Sequence, residues 1–186
     1  MNIQLPISDS VISQLKSGQR VYLNGTILTA RDAAHERLYN MIIEGKPLPI
    51  EIKDQIIYYM GPCPARPGQV IGSAGPTTSG RMDYYTPLLL ELGLKGMIGK
   101  GMRSSKVIDS MVINSAIYFA AVGGAGALLA AKIKSCEVVA FADLGTEAIH
   151  KLEVENFPVI VAIDSKGNDF YKTGREKFYR PCIIAY

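Results

Sequence analysis

The residue types best suited to chemistry gather in residues 71–83, which read I-G-S-A-G-P-T-T-S-G-R-M-D. Gly72, Gly75, Pro76 and Gly80 surround the adjacent Thr77 and Thr78 and lead to Arg81. Glycine and proline at this density force the backbone into tight, specific angles. Apolar runs on both sides make the stretch a strand-to-helix turn rather than a linker. Such a turn offers backbone N–H groups, two hydroxyls and a guanidinium to one small space, which is the chemistry of an anion site. Two more cations stand out. Arg31 opens a helical pattern, where the helix dipole favours acidic groups, and a bound anion would resolve that conflict. His35, four residues on, shares its face. Lys100 lies between Gly99 and Gly101, which lets backbone and ligand come close. Three cations and two hydroxyls suit a small ligand with two carboxylates, because a guanidinium holds a carboxylate through two parallel hydrogen bonds. No Ser–His–Asp arrangement and no catalytic carboxylate pair stands out. The chain therefore supplies charge complementarity and positioning, and an electrophile would come from elsewhere.

The surrounding pattern predicts the elements that carry these residues. Residues 3–7 and 20–23 read as strands, with a short helix between them capped by Ser8 or Ser10 and closed by Gly18. Asn24-Gly25 is a turn signal, after which residues 26–29 continue in extended form. A helix from about 30 to 44 places Ala34, Leu38, Met41 and Ile42 on one face and ends at Gly45. Residues 56–60 and 70–74 read as strands, joined by a stiff loop through G-P-C-P. Thr77, Thr78 or Ser79 then caps a helix running to about residue 92 despite Pro87. Residues 96–101 form a strand ending at Lys100, 104–114 a helix, and 115–122 a buried strand. The run Gly123-Gly124-Ala125-Gly126 resembles a nucleotide turn only in part, since Leu129 stands where a third glycine belongs, and tight strand–helix packing is the expected role. Strand 137–141, a short helix 146–152, strand 158–163 and a hairpin-type turn at 165–168 complete the reading, with residues 177–186 docking on the body. Strands occur both as hairpins and in strand–helix–strand units. The expected fold is thus α/β, a mixed sheet or partial barrel with helices packed outside.

Bulk properties narrow the function. Its 186 residues fit a single domain, 1–186, with chain enough for a sizeable core. With 48% hydrophobic and 20% charged residues it falls among globular chains. A net charge of +3 and the lack of any long Lys/Arg block argue against nucleic acid as a partner. No signal peptide and no membrane span is evident, so the expectation is a cytoplasmic protein with no membrane partner. Cys63, Cys136 and Cys182 are far apart and odd in number, and with only two histidines they form no metal-ligand spacing.

G-P-C-P from Gly61 and G-P-T-T-S-G-R-M-D from Gly75 resemble the iron–sulfur-dependent hydro-lyases, the class I fumarases and L-tartrate dehydratases. A-R-D-A-A-H from Ala30 and M-I-G-K-G from Met97 fit the same pattern in the same order. The chain resembles their C-terminal domain, or the separate β subunit of two-chain members, which has a swivelling β/β/α fold. The resemblance implies a lyase adding or removing water across a dicarboxylate double bond, as in the hydration of fumarate to L-malate in the tricarboxylic acid cycle. It implies a 4Fe-4S cluster held by a partner α subunit and not by this chain, in an α2β2 heterotetramer active only when assembled. Arg31, Arg81 and Lys100 fall where that family binds substrate carboxylates. Thr77 falls on the residue considered for proton transfer, with Thr78 assisting binding. Asp32 and His35 take supporting roles, orienting Arg31 or shaping the helix start. Tartrate dehydratase is an alternative on the same motifs, and a cluster-free dicarboxylate-binding domain is a second.

Overall fold

In the computed structural model the described residues are 1–179, without the side chains of Lys177 and Phe178. Cys182 and most of the expected docking tail lie outside them. The described part is a mixed α/β fold. Its sheet closes on itself: β2 (Arg20–Thr29), β3 (Ile56–Tyr58), β4 (Gly96–Gly99) and β5 (Ile117–Ala120) run parallel in that order. β7 (Ile149–Ile163) pairs antiparallel with both β5 and β2 and completes a five-stranded barrel. Strand β1 (Asn2–Gln4) lies on β2 and β6 (Ile133–Ala140) on β7, which extends the sheet beyond the barrel.

Alternation along the strands splits the apolar residues into two cores. Leu23, Ile27, Ile56, Tyr58, Ile98, Phe119, Phe157 and Val161 form one cluster. Their neighbours Leu28, Ile57, Tyr59, Met97, Tyr118 and Ala162 form a second with Leu38, Leu90 and Met111 of the outer helices α2 (Asp32–Ile43), α3 (Thr86–Glu91) and α4 (Ser105–Ile113). The short helices α1 (Asp9–Ile12) and α5 (Gly126–Ala130) and the C-terminal α6 (Phe170–Phe178) complete the described elements. Ser8 caps α1 through the Val11 N–H. Among the described residues no helix is long and apolar enough to cross a membrane.

Several local expectations are corrected. Asn24-Gly25 is no turn: β2 continues through it with a bulge, Gly25 taking φ +114° where a side chain would crowd Leu5. Residues 70–74 are not a strand, because they bond to the G-P-C-P loop instead, Gly72 N–H to the Cys63 carbonyl and Cys63 N–H to the Ser73 carbonyl, both at 3.1 Å. A side chain at Gly72 would stand 2.5 Å from those loop carbonyls, which explains that glycine. The single helix expected to run to residue 92 is two pieces, a 3-10 turn at Ser79–Met82 and then α3. Pro87 has no N–H to continue a helix, and it sits in the first turn of α3, where none is needed. Residues 149–152 are strand, not helix: they open β7, in which Lys151-Leu152-Glu153-Val154 alternates and pairs with β2 on one side and β6 on the other. The hairpin-type turn at 164–168 closes with an antiparallel bridge between Ile163 and Asp169 and then leads into α6, which Asp169 caps through the Tyr171 N–H at 2.8 Å.

Candidate active site

Each candidate leaves the barrel at one end. Arg31 follows the C-terminal end of β2, Gly61 that of β3 and Lys100 that of β4. The carboxyl ends of parallel strands are where open backbone and loop residues converge on ligands. The threonine stretch is stitched to this end by backbone bonds. Thr77 N–H donates to the Tyr59 carbonyl at 2.7 Å, and Lys100 N–H donates to the Thr77 carbonyl at 3.3 Å. Ser79 N–H donates to the Lys100 carbonyl at 2.8 Å, so Thr78 and Lys100 form a parallel bridge. Thr78 occupies the N-cap position of the 3-10 turn without a side-chain capping bond, which removes capping as the reason for that threonine. The approach of the two loops depends on Gly99, whose Cβ would stand 1.9 Å from Ser79 Oγ.

Asp32 brings the two arginines together. Its Oδ1 lies 2.8 Å from Arg81 Nε and its Oδ2 lies 3.8 Å from Arg31 Nη2. Asp32 thus orients Arg81 more directly than Arg31. The cation at the start of α2 is answered from within the chain, by Glu147, whose Oε1 is 3.5 Å from Arg31 Nη2. Glu147 Oε2 also accepts from the Ala33 N–H at 2.9 Å, supplying the helix cap that an N-terminal arginine cannot. An external anion is therefore not required to resolve the dipole conflict. Two buried atoms of the cluster, Arg31 Nε and Asp32 Oδ2, have no hydrogen-bond partner among the described residues. That is a site with unspent hydrogen-bonding capacity.

His35 does not reach this cluster. It is fully buried in the outer core, edge-on to the Tyr59 ring at 5.2 Å, with Nδ1 2.9 Å from the Arg31 carbonyl. Burial pulls its pKa down to about 4 although the Arg31 carbonyl works to raise it. It is a neutral imidazole that shapes the helix start. Lys100 is exposed, and its stem borders an apolar groove of about 600 Å³ walled by Ala121, Val122, Phe170 and Tyr171.

Sequence reasoning missed the supports beneath the site. Arg103, buried behind the 3-10 turn, bonds Asp83 Oδ1 at 2.7 Å and Thr86 Oγ1 at 2.7 Å and lies over the Tyr59 and Tyr118 rings. Burial opposes its charge, but Tyr59 and Asp83 outweigh it and hold the guanidinium above its ordinary range. Asp83 Oδ2 also takes the Ser104 N–H at 2.7 Å, so the aspartate that closes R-M-D ties the site loop to α4. The only hint in the sequence was that Arg103 follows closely on Lys100 in a short loop. Glu147 gave no local signal, because it meets Arg31 across more than a hundred residues. The tight strand–helix packing expected of the Gly123–Gly126 run is not found: Gly123 and Gly124 are exposed, and Gly126 alone packs closely, against the 73–75 loop, where a Cβ would stand 2.3 Å from Ser73 Oγ. Among the described residues no group of three or more His, Cys, Asp and Glu gathers to hold a metal, and Cys63 and Cys136 are free thiols.

A family model described as the fumarase C-terminus matches residues 1–174. The anaerobic class I fumarate hydratase of Escherichia coli K12 is 46% identical over 163 residues, which make up 87% of this chain and 30% of that relative. Fumarate hydratase 2 of Leishmania major is 44% identical over 162 residues, 86% of this chain and 28% of the relative. A Methanocaldococcus jannaschii protein that carries the name of an L(+)-tartrate dehydratase β subunit is 40% identical over 174 residues, 90% of this chain and 89% of that protein. The chain thus spans less than a third of these two fumarate hydratases and most of the tartrate dehydratase subunit. With a match running from the first residue of β1's leader through most of α6, this chain belongs to the fumarase C-terminus family.

Proposed function

We propose that this chain is the substrate-binding component of a class I fumarate hydratase, hydrating fumarate to L-malate together with a partner α chain that holds a 4Fe-4S cluster. The observation that carries the reading is the meeting of Arg31, Asp32 and Arg81 beside the Thr77–Lys100 ladder at one barrel end, with unpartnered polar atoms in their midst. Arg31, Arg81 and Lys100 bind the two carboxylates, the guanidiniums by paired N–H donation and Lys100 as a point charge. Thr78 adds a hydroxyl to the binding surface. Thr77, pinned through its own backbone N–H and carbonyl, moves a proton at the carbon next to the hydroxyl-bearing one. A free hydroxyl is a weak base near neutral pH, so this role needs the desolvation that assembly provides. When bound on the partner, the cluster supplies a Lewis acid to the substrate hydroxyl.

Tartrate dehydration is a second reading, favoured by the 89% coverage of the relative named as a tartrate dehydratase β subunit. It also supports a two-chain organisation, an α2β2 assembly being the form we propose. Steady-state rates of the assembled enzyme on fumarate, L-malate and L-tartrate decide between them. The first reading expects kcat/KM for fumarate and malate to exceed that for tartrate by at least about tenfold, and the reverse order would replace it.

A further inference from the structure

The Arg31 side chain is held by a connection far away in sequence. Between β6 and β7, the segment Ala142–Glu147 forms a 3-10 stretch that begins after a left-handed Phe141, φ 56°. Arg37 of α2 clamps this segment in place. Its two terminal nitrogens each lie 2.8 Å from a carboxylate oxygen of Asp143, and its guanidinium lies 4.8 Å over the Phe141 ring. At the end of the segment Glu147 touches two groups at once, the Ala33 N–H at 2.9 Å and Arg31 Nη2 at 3.5 Å. Gly61 closes the other side. A Cβ there would stand 3.0 Å from both Arg31 Cδ and Nη1 and 2.7 Å from the Thr146 carbonyl oxygen. The Arg31 stem therefore runs in a slot between the Gly61 backbone and Thr146, and only glycine leaves that slot open.

The kind of grip matters. Arg31 and Glu147 are close enough to attract by charge, but no hydrogen bond joins them, and Arg31 Nε is buried without a partner. The guanidinium is oriented by charge, and its buried Nε–H is a donor left unspent among the described residues. We propose that Glu147 is the positioning residue of Arg31: it caps α2 through Ala33 and, by its charge, holds the guanidinium in the pose in which it meets a substrate carboxylate. This rests on the reading above, in which Arg31 binds that carboxylate. A Glu147 that merely competed with substrate for Arg31 would have the opposite effect on affinity.

The test uses the assembled enzyme with Glu147→Gln, which keeps an oxygen for the Ala33 N–H and removes the charge, and Glu147→Asp, which keeps the charge on a shorter arm. Glu147→Gln should raise KM for the dicarboxylate about tenfold with kcat within about twofold and an unchanged Tm, and Glu147→Asp should recover part of the KM. A KM that stays the same or falls in Glu147→Gln overturns the proposal. A second measurement does not depend on turnover. In the full chain with nitrogen-15 arginine, the Arg31 Nε–H resonance, assigned by its loss in Arg31→Lys, should exchange slowly with water in the wild type and rapidly in Glu147→Gln. Equal exchange in both also overturns the proposal. Wild-type enzyme with no turnover on any dicarboxylate would instead refute the functional reading, while the exchange measurement still decides whether Glu147 holds Arg31.

Discussion

Arg81 and Arg31 reach one carboxylate, Asp32, from different elements, and they differ in how they are held. Arg81 makes a 2.8 Å contact through Nε and is about half exposed, whereas Arg31 is mostly covered and its Nε has no partner among the described residues. On the function proposed above, the half-exposed Arg81 contacts the ligand. Arg81→Lys keeps the charge and loses the planar fork. It should lower kcat/KM of the assembled enzyme roughly 10- to 100-fold, the equivalent of the 1.5–3 kcal/mol typical of a charged hydrogen bond, with little change in Tm. Wild-type kinetics would remove Arg81 from the site. Thr77→Val is nearly isosteric and leaves the backbone bonds to Tyr59 and Lys100 intact. Its predicted signature is a kcat reduced about 100-fold or more with normal assembly, in line with the usual contribution of a proton-transfer group. An unaltered kcat would exclude Thr77 from that role. His35 yields a prediction about stability instead. Burial sets its folded pKa at about 4 against an ordinary 6.5, so the unfolded chain takes up a proton that the folded chain refuses. The stability this group provides is complete above pH 6.5 and is lost as pH falls toward 4, by about 3 kcal/mol in all. Urea unfolding near pH 7.5 and near pH 4.5 should show most of that loss in the wild type and not in His35→Asn. An equal pH dependence in both would mean the imidazole titrates freely.

At the scale of elements, the site depends on loops pressed together where only glycine fits. Gly99→Ala would place a methyl group 1.9 Å from Ser79 Oγ, and Ser79 has nowhere to go because Tyr118 donates to its hydroxyl from behind at 2.9 Å. The expected result is a loss of roughly 1–3 kcal/mol in chemical denaturation, the usual cost of overpacking, partly restored in the Gly99→Ala, Ser79→Gly double variant. A single variant as stable as the wild type would show that the loops are looser than described. These glycines were legible in the sequence as positions of close approach, but what approaches them was not. Gly99 admits a serine and not a ligand, and Gly126 admits the 73–75 loop. The helices α2 and α4 and the strands β2 to β5 could be read because each carries its own apolar period. β7 was read only in part, because a 15-residue strand that pairs with β2, β5 and β6 over different stretches is specified by its neighbours as much as by its own pattern. The 70–74 segment failed for the converse reason, having an apolar composition but spending its backbone bonds on a loop. In the candidate site, the cations and threonines stood out through glycine and proline context. Glu147, Asp83 and Arg103 did not, since each acts through contacts that nothing in its local sequence announces.

The whole molecule adds polarity to these pieces. Four parallel strands end at the same rim, and the antiparallel β7 closes the barrel and starts beside the end of β2, which brings Glu147 to Arg31. The rim gathers two guanidiniums, a lysine and the threonine turn, with an apolar groove beside Lys100. On the function proposed above, this chain is the binding and positioning half of a hydro-lyase. The most direct test is anaerobic reconstitution of this chain with a cluster-bearing partner, following fumarate and L-malate. The account predicts hydration by the mixture and none by this chain alone. Turnover by this chain alone, without iron, would contradict it.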